Sequence, residues 1–402
     1  MKDESKATMP FTCPLPLPAR DTVLLGHGSG GKLTADLIRE LFLPAFANPI
    51  LARLDDQAII QLHGTRLAFT TDSFVVKPLF FPGGDIGRLA VHGTVNDLAM
   101  GGAHPLFLSA AFIIEEGLPM ETLRRVVESL RTAAREAGVE IVTGDTKVVE
   151  RGSGDGLFIN TAGIGVVPEG LELSASNARP GDSVLLSGSI GEHGIAILAQ
   201  REGLEFESPV ESDTAPLHTL VQAMLQAGRA IRCLRDPTRG GLSSALNEFA
   251  GQSHVGITID EHAIPLREEV KGACELLGLD PLYVANEGKL LAIVEPEGAG
   301  EILAAMRSHP LGRQARPGHR AHGPGPAPHP RGATRGHPQG RSRGRGRGTP
   351  WHTPRERMRR AVGILRAVAA DVFRARQGLV NRGQRLRCPS RALLAGDSPG
   401  QR

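Results

Sequence analysis

Leu67-Ala-Phe-Thr-Thr-Asp72 is an apolar run that stops on a carboxylate, and the same ending recurs along the first third of the chain. Asp55-Asp56 lies between the runs 51–54 and 58–60, and Asp145 ends Val139-Glu-Ile-Val-Thr-Gly144. Asn96-Asp97 sits inside the small-residue helical pattern His92-Gly-Thr-Val-Asn-Asp-Leu98. A carboxylate at the end of a buried strand must face a partner, water or a cation, because an unpaired buried charge is too costly. Mg²⁺ is usually held by one or two such carboxylates together with substrate phosphates. For a single aspartate a turn or cap role is commoner. Four with these flanks point to a Mg-nucleotide site. Lys147 would add a point charge for a phosphate.

Around these stations the pattern alternates between strand and helix. Strands are expected at 51–55, 58–62, 67–71, 106–114, 139–145 and 156–167, with helices at 33–42, 87–100 and 120–137. Arg179-Pro-Gly-Asp182 is a strong turn signal, and after it a second unit begins. Strands are expected there at 183–187, 256–259 and 290–294, and helices at 195–200, 214–228, 241–250 and 267–277. The two units share an order of elements. This predicts an α/β (α+β) fold of two domains, each a mixed sheet packed with helices. The expected boundaries are a flexible leader at 1–20, an N-terminal domain at 21–167 and a C-terminal domain at 178–312.

Composition divides the 402 residues sharply. Positions 313–402 hold 21 Arg, no Lys and three acids, leaving 25 basic and 40 acidic residues before them. The formal net charge of +3 describes neither part. The body reads as an acidic globular protein with enough apolar content for a core. The stretch 316–354 has too few aliphatic residues to offset chain entropy, so 313–402 is expected to be disordered or the product of a shifted reading frame. Four scattered cysteines (Cys13, Cys233, Cys274, Cys388) show no metal spacing; reduced thiols and a cytoplasmic location are expected. No run approaches membrane-spanning length, and no membrane partner is expected.

Gly26-His-Gly-Ser-Gly-Gly-Lys32 has P-loop spacing through its lysine, but Leu33 stands where Ser or Thr would hold Mg²⁺. A looser reading remains, in which the amides of this loop (Gly28 and Gly30 among them) and Lys32 close over phosphates. Arg235–Gly241 would present amides at a helix start, which suits either an anion or an ordinary cap.

The stretches Leu54-Asp-Asp-Gln-Ala58, Thr71-Asp-Ser-Phe-Val75, Gly93-Thr-Val-Asn-Asp-Leu-Ala-Met-Gly-Gly102 and Thr143-Gly-Asp-Thr-Lys-Val148 resemble the PurM-type ATP-binding superfamily. Within it, 26–32, Ala110-Ala-Phe-Ile-Ile-Glu-Glu-Gly117, Arg235-Asp-Pro-Thr-Arg-Gly-Gly-Leu242 and Ala285-Asn-Glu-Gly-Lys289 resemble the HypE family of NiFe-hydrogenase maturation proteins. The resemblance covers about 20–312. It implies a two-domain homodimer that uses ATP and Mg²⁺. The implied metal ligands are Asp55, Asp56, Asp72, Asp97 and Asp145. The implied nucleotide contacts are Gly28, Gly30, Lys32, Asp56, Asp72, Asn96, Asp97, Gly144, Asp145 and Thr146. Lys147 is implied as a phosphate contact and Glu287 as the acid/base.

The implied activity is carbamoyl dehydration. A terminal cysteine receives a carbamoyl group from a HypF-type carbamoyltransferase, and ATP-dependent dehydration makes a thiocyanate. The cyano group then passes to iron on a HypC–HypD complex. Two departures stand out: Gly191-Glu-His-Gly194 replaces the family's Gly-Asp-His-Gly, and the terminal Pro-Arg-Ile-Cys is missing. Impaired carbamoyl transfer is therefore expected, with Cys388 no equivalent. Alternatives are a selenophosphate synthetase, which would want a reactive cysteine near the glycine loop, and a thiamine-phosphate kinase. A scaffold or nucleic-acid tether through the basic tail is a further alternative. The near absence of aromatic residues in the tail argues against nucleic acid.

Overall fold

The computed structural model describes residues 22–204 and 209–323. The expected leader at 1–20, four residues of one loop and most of the basic segment, with Cys13 and Cys388, lie outside the described residues. Asn48 accepts the backbone N–H groups of Ile50 and Leu51. This Asx-type turn makes a 3-10 turn of Leu51–Arg53 where a strand was expected. Upstream, helix α1 (Lys32–Leu37) continues through a π-helical turn (Ile38–Phe42) into α2 (Leu43–Ala45).

The first sheet contains β1 (Ala58–Leu62) and β2 (Thr65–Phe74). A small hairpin, β3 (Phe80–Phe81) and β4 (Gly84–Asp85), leads into helix α3 (Ile86–Met100). Asp85 caps α3 by accepting from Gly87 and Arg88 N–H, as an N-cap aspartate should. Then come β5 (His104–Glu115), α4 (Met120–Glu136), β6 (Glu140–Val149) and β7 (Leu157–Val166). The strand order is β1-β2-β7-β5-β6, with β5 and β6 parallel and the other pairs antiparallel. α3 is apolar nearly all round and is buried over almost its whole length. It packs on the inner face of β2 and β7, while amphipathic α4 adds Val126, Leu130 and Ala133 to the same core.

The second sheet runs β10-β12-β8-β11-β9. Its elements in chain order are β8 (Ser183–Leu186), α5 (Glu192–Glu202), α6 (His218–Ala227), β9 (Ile231–Arg235), α7 (Gly241–Ser253), β10 (Gly256–Ile259), α8 (Glu268–Leu277), β11 (Leu291–Val294), α9 (Ala299–Ser308) and β12 (Arg316–His322). α6 and α9 cover one face of this sheet and α7 the other. The helix expected at 214–228 starts only at His218, because Pro216 disfavours helical geometry in the residue before it. β12 lies beyond the expected boundary at 312. It pairs with β8 and β10 inside the sheet, so the folded body reaches past that point.

Candidate active site

Between the two units lies a cleft of about 250 Å³ lined by Asp56, Asp97, Arg235, Asp236, Arg239 and Glu248, with Gly28 and Gly30 at its mouth. Each acid stands where an element ends or turns inward. Asp56 precedes β1, Asp97 faces inward from α3, and Asp236 follows the last residue of β9. The Thr70 hydroxyl, on the inward side of β2, lies 2.9 Å from the Asp56 carbonyl and 3.0 Å from Asp97 Oδ2, and has one proton to donate between them. Arg235 pairs with Asp56 at 2.8 Å and Glu248 at 2.9 Å.

Like charges crowded away from water disfavour ionisation. Burial pushes the Asp56 carboxyl up to about 6, with Arg235 opposing the rise. Burial, reinforced by Asp56, pushes Asp236 up to about 8. Asp97 is driven well above its ordinary range by burial and then by Asp236, Asp56 and Asp72. Burial also raises Asp72, while Ser73 N–H and Arg239 lower it. Glu287 is raised well above the usual range by burial, then by Asp236, Asp72 and Asp213, with Arg239 opposing. The expected inner acids therefore share one electrostatic field.

This donor set suits a hard cation. Among the described residues no group of three His, Cys, Asp or Glu side chains closes a metal site by itself. Mg²⁺ usually takes one or two carboxylates and completes its shell with phosphate oxygens and water. The Thr34 hydroxyl, also lining the cleft, is buried without a partner. The amide-rich start of α7 (238–241) forms the opposite wall, as expected for an anion site.

Several expected residues do not belong to the cleft. Asp55 accepts from the Ser174 hydroxyl (2.9 Å) and Ala175 N–H (3.0 Å) and pairs with Arg53 at 3.0 Å, which ties down the interdomain linker. It is not free to ligate a metal. Asn96 is fully buried, and its amide is committed elsewhere. Its Oδ1 accepts Leu217 N–H (2.7 Å) and its Nδ2 donates to the carbonyls of Ala215 (3.1 Å) and Glu287 (3.2 Å). Asn96 therefore joins the two units. Lys32 is exposed and paired with Asp36 at 2.6 Å.

Gly144, Asp145, Thr146 and Lys147 lie on exposed edge strand β6, where Asp145 and Lys147 pair at 2.9 Å. Register explains their separation from the inner acids. Asp72 pairs with buried Thr161, whereas Asp145 shares a row with Ala111, Asn160 and Ser73 on the opposite face. One chain cannot bring Asp145 to Asp97. Sequence reasoning missed Asp236, which follows the strand Ile231-Arg-Cys-Leu-Arg235, an alternating apolar and basic stretch rather than an apolar run.

Residues 54–167 match the family described as AIR synthase related protein, N-terminal domain, and 179–323 match the corresponding C-terminal domain. Carbamoyl dehydratase HypE of Bradyrhizobium diazoefficiens is 62% identical over 292 residues, spanning 72% of this chain and 84% of that protein. A crystal structure of a HypE–HypF complex superposes with a TM-score of 0.68 at 54% identity, covering 71% of this chain and 92% of the matched chain. A crystal structure of HypE in complex with ATP gives a TM-score of 0.63 at 54% identity, covering 75% of this chain and 90% of the other.

Proposed function

The chain belongs to the HypE family of hydrogenase maturation proteins, and on that premise we propose that its cleft performs the ATP-dependent dehydration of an S-carbamoyl cysteine to a thiocyanate. The observation that carries the reading is the convergence of Asp56, Asp97 and Asp236 opposite Arg235 and Arg239, beneath the Gly28–Gly30 loop. Such a cleft holds a triphosphate only with a counter-cation. Mg²⁺ on one or two of Asp56, Asp72 and Asp97 would neutralise charge on the transferred phosphoryl group.

The thiocarboxamide oxygen takes the γ-phosphoryl group from ATP, releasing ADP and one N–H proton. Loss of phosphate with the second N–H proton then leaves the carbon–nitrogen triple bond. Glu287 is the proton acceptor in this reading, because burial makes its carboxylate a stronger base than an exposed glutamate. Lys147 and Asp145 act from a second copy of the chain. The outer face of the first sheet supports that arrangement. Phe69, Ile164 and Phe107 form a continuous exposed apolar row across β2, β7 and β5, of the kind that marks an interface.

A HypF-type carbamoyltransferase would deliver the carbamoyl group, and a HypC–HypD complex would receive the cyanide. The accepting thiol is neither described cysteine. Burial pushes Cys233 up to about 12 and raises Cys274, so neither offers a thiolate at neutral pH. The sequence contains no Pro-Arg-Ile-Cys run.

The test supplies the acceptor in trans. The full chain is given Mg-ATP and an S-carbamoylated Pro-Arg-Ile-Cys peptide, and the peptide is followed by mass and by the nitrile infrared band. Thiocyanate formation that depends on ATP and disappears in Asp97→Asn is expected. A wild-type chain that binds Mg-ATP but leaves the peptide unchanged would defeat the dehydratase reading.

A further inference from the structure

The segment Val210-Glu-Ser-Asp-Thr-Ala-Pro-Leu217 has no regular secondary structure, yet it makes buried polar contacts with both units. Toward the first unit, Ser212 N–H donates to the Pro82 carbonyl (2.8 Å), and the Thr214 hydroxyl meets His92 Nδ1 (3.1 Å). Toward the second, the Ser212 hydroxyl meets His193 Nδ1 (2.8 Å). Gly83 must be glycine here, since its φ is +85° and a Cβ would lie 2.7 Å from Ser212 backbone atoms.

Asp213 stands at the middle of this strap. Its carboxylate accepts the backbone N–H groups of Glu287 and Gly288, both at 3.2 Å, and pairs with Lys289 at 3.0 Å. All its described partners therefore come from three consecutive residues. The Glu287 carbonyl is held from the other side by Asn96 Nδ2 (3.2 Å) and Ala215 N–H (3.4 Å). Gly288 approaches so closely that a Cβ there would lie 1.8 Å from the Asp213 carbonyl oxygen. With both ends of the residue fixed, Glu287 is left with side-chain rotation only.

We propose that Asp213 is a positioning residue for Glu287, setting where the Glu287 carboxyl stands relative to Asp72, Asp236 and Arg239 by gripping the 287–288 backbone. The inference rests on Glu287 being the proton acceptor. A brace for stability alone would be better built without a charge. Asp213 is nearly fully buried and adds its own repulsion to an acid that Asp236 and Asp72 already repel and Arg239 attracts. A buried ion pair is weak evidence for stabilisation. Two backbone amides and an ammonium aimed at one turn do, however, fix that turn tightly.

The experiment compares the full-length wild type with Asp213→Asn, Glu287→Gln and the double variant. It measures Mg-ATP affinity, kcat and KM with the carbamoylated peptide, and amide hydrogen exchange at 287–289. An asparagine is nearly isosteric but cannot hold two amides and an ammonium as the carboxylate does. Expected are ATP affinity within about twofold, faster exchange at 287 and 288, and a kcat at least about tenfold lower at unchanged KM. The double variant should be no slower than Glu287→Gln alone, because both changes disable one unit.

Unchanged exchange at 287–289, or losses that multiply in the double variant, would overturn the proposal. A wild-type rate in Glu287→Gln together with fast exchange in Asp213→Asn would instead overturn the role given to Glu287 and leave the grip on its backbone standing. If Asp213→Asn does not fold, Lys289→Gln takes its place. It loosens the carboxylate while leaving the amides, and the same non-additivity with Glu287→Gln is expected at smaller size. Multiplying losses there would also overturn the proposal.

Discussion

Asp72 and Asp145 each stand in a strand of one sheet, in similar company, and face opposite ways. Asp72 points inward toward α3, where burial raises its carboxyl. Asp145 points to solvent, where Lys147 holds its carboxyl below the usual range. Around Asp72 the neighbours are other acids, and the environment wants a cation. Around Asp145 the neighbours are its own lysine and an apolar surface, and the environment wants another protein. In the proposed reading, the inner face is one half of a site that the outer face of a second copy completes.

The sharpest way to break this comparison is complementation, and it carries the largest expected effect. Asp97→Asn and Asp145→Asn should each lower ATP turnover at least about 100-fold, since each removes a carboxylate that would hold the Mg²⁺ neutralising the transferred phosphoryl group. If the outer residues serve a second copy's cleft, mixing the two inactive variants restores one complete site per mixed dimer. Recovery of about a quarter of wild-type turnover is expected for random pairing of twofold-symmetric partners. No recovery, from variants shown to exchange subunits, would mean that Asp145 has no place in the partner's site.

A second contrast separates neighbours rather than faces. Asp55 and Asp56 are adjacent, yet one ties the linker and the other lines the cleft. Asp55→Ala should cost about 2–3 kcal/mol of stability by leaving the buried Ala175 N–H and Arg53 without their acceptor, with ATP affinity unchanged in the folded fraction. Asp56→Ala should do the reverse, removing ATP binding with little loss of stability. Denaturant melts and nucleotide titrations on the two variants decide between them, and equal behaviour would undo the assignment.

These pairs show where the sequence was legible. Apolar runs ending on acids, the buried α3 and the turn at 179–182 could be read directly, because hydrophobic period and turn chemistry are local properties. The face occupied by an acid is not local. In a strand, side chains alternate with a period of two, so the direction of Asp145 depends on its register against β5, which no flank reveals. Asp236 follows an alternating apolar and basic stretch, not an apolar run, and was passed over because Arg235–Gly241 reads so readily as a cap. β12 was hidden for a different reason. Its Arg, Pro, Gly and His residues look like those that follow, but a strand paired on both sides is held by backbone hydrogen bonds that composition does not record.

The crowded inner acids predict a pH effect of moderate size. Asp236 titrates near 3.8 when unfolded and at about 8 when folded. Between those values the folded chain binds more protons than the unfolded one, so stability must fall as pH rises through that window. The nucleotide-free protein should melt lower at pH 8 than at pH 5. Added Mg²⁺ should recover more of the loss at pH 8, where the carboxylates are ionised. Asp236→Asn should flatten the slope, raising Tm at pH 8 by about 2–4 °C for each kcal/mol of repulsion removed. An unchanged slope would show that burial and the neighbouring Asp56 do not hold the Asp236 carboxyl protonated.

The smallest effect is expected at the lysine of the glycine loop, for which the sequence left only a looser phosphate-binding reading. Gly28 and Gly30 line the cleft, but Lys32 lies on the exposed side of α1, paired with Asp36. An exposed pair of this kind contributes little, so Lys32→Ala should change ATP affinity by less than about twofold. Gly30 differs. Its φ is +74°, and a Cβ would lie 2.7 Å from the Arg239 carbonyl, so Gly30→Ala should displace the loop from the cleft mouth and weaken binding more than Lys32→Ala. The opposite ranking, with Lys32→Ala weaker and its loss growing at low salt, would mean that the loop swings and grips phosphate by charge. The predicted ranking makes it a backbone cradle, fixed by contact with the second unit before any nucleotide arrives.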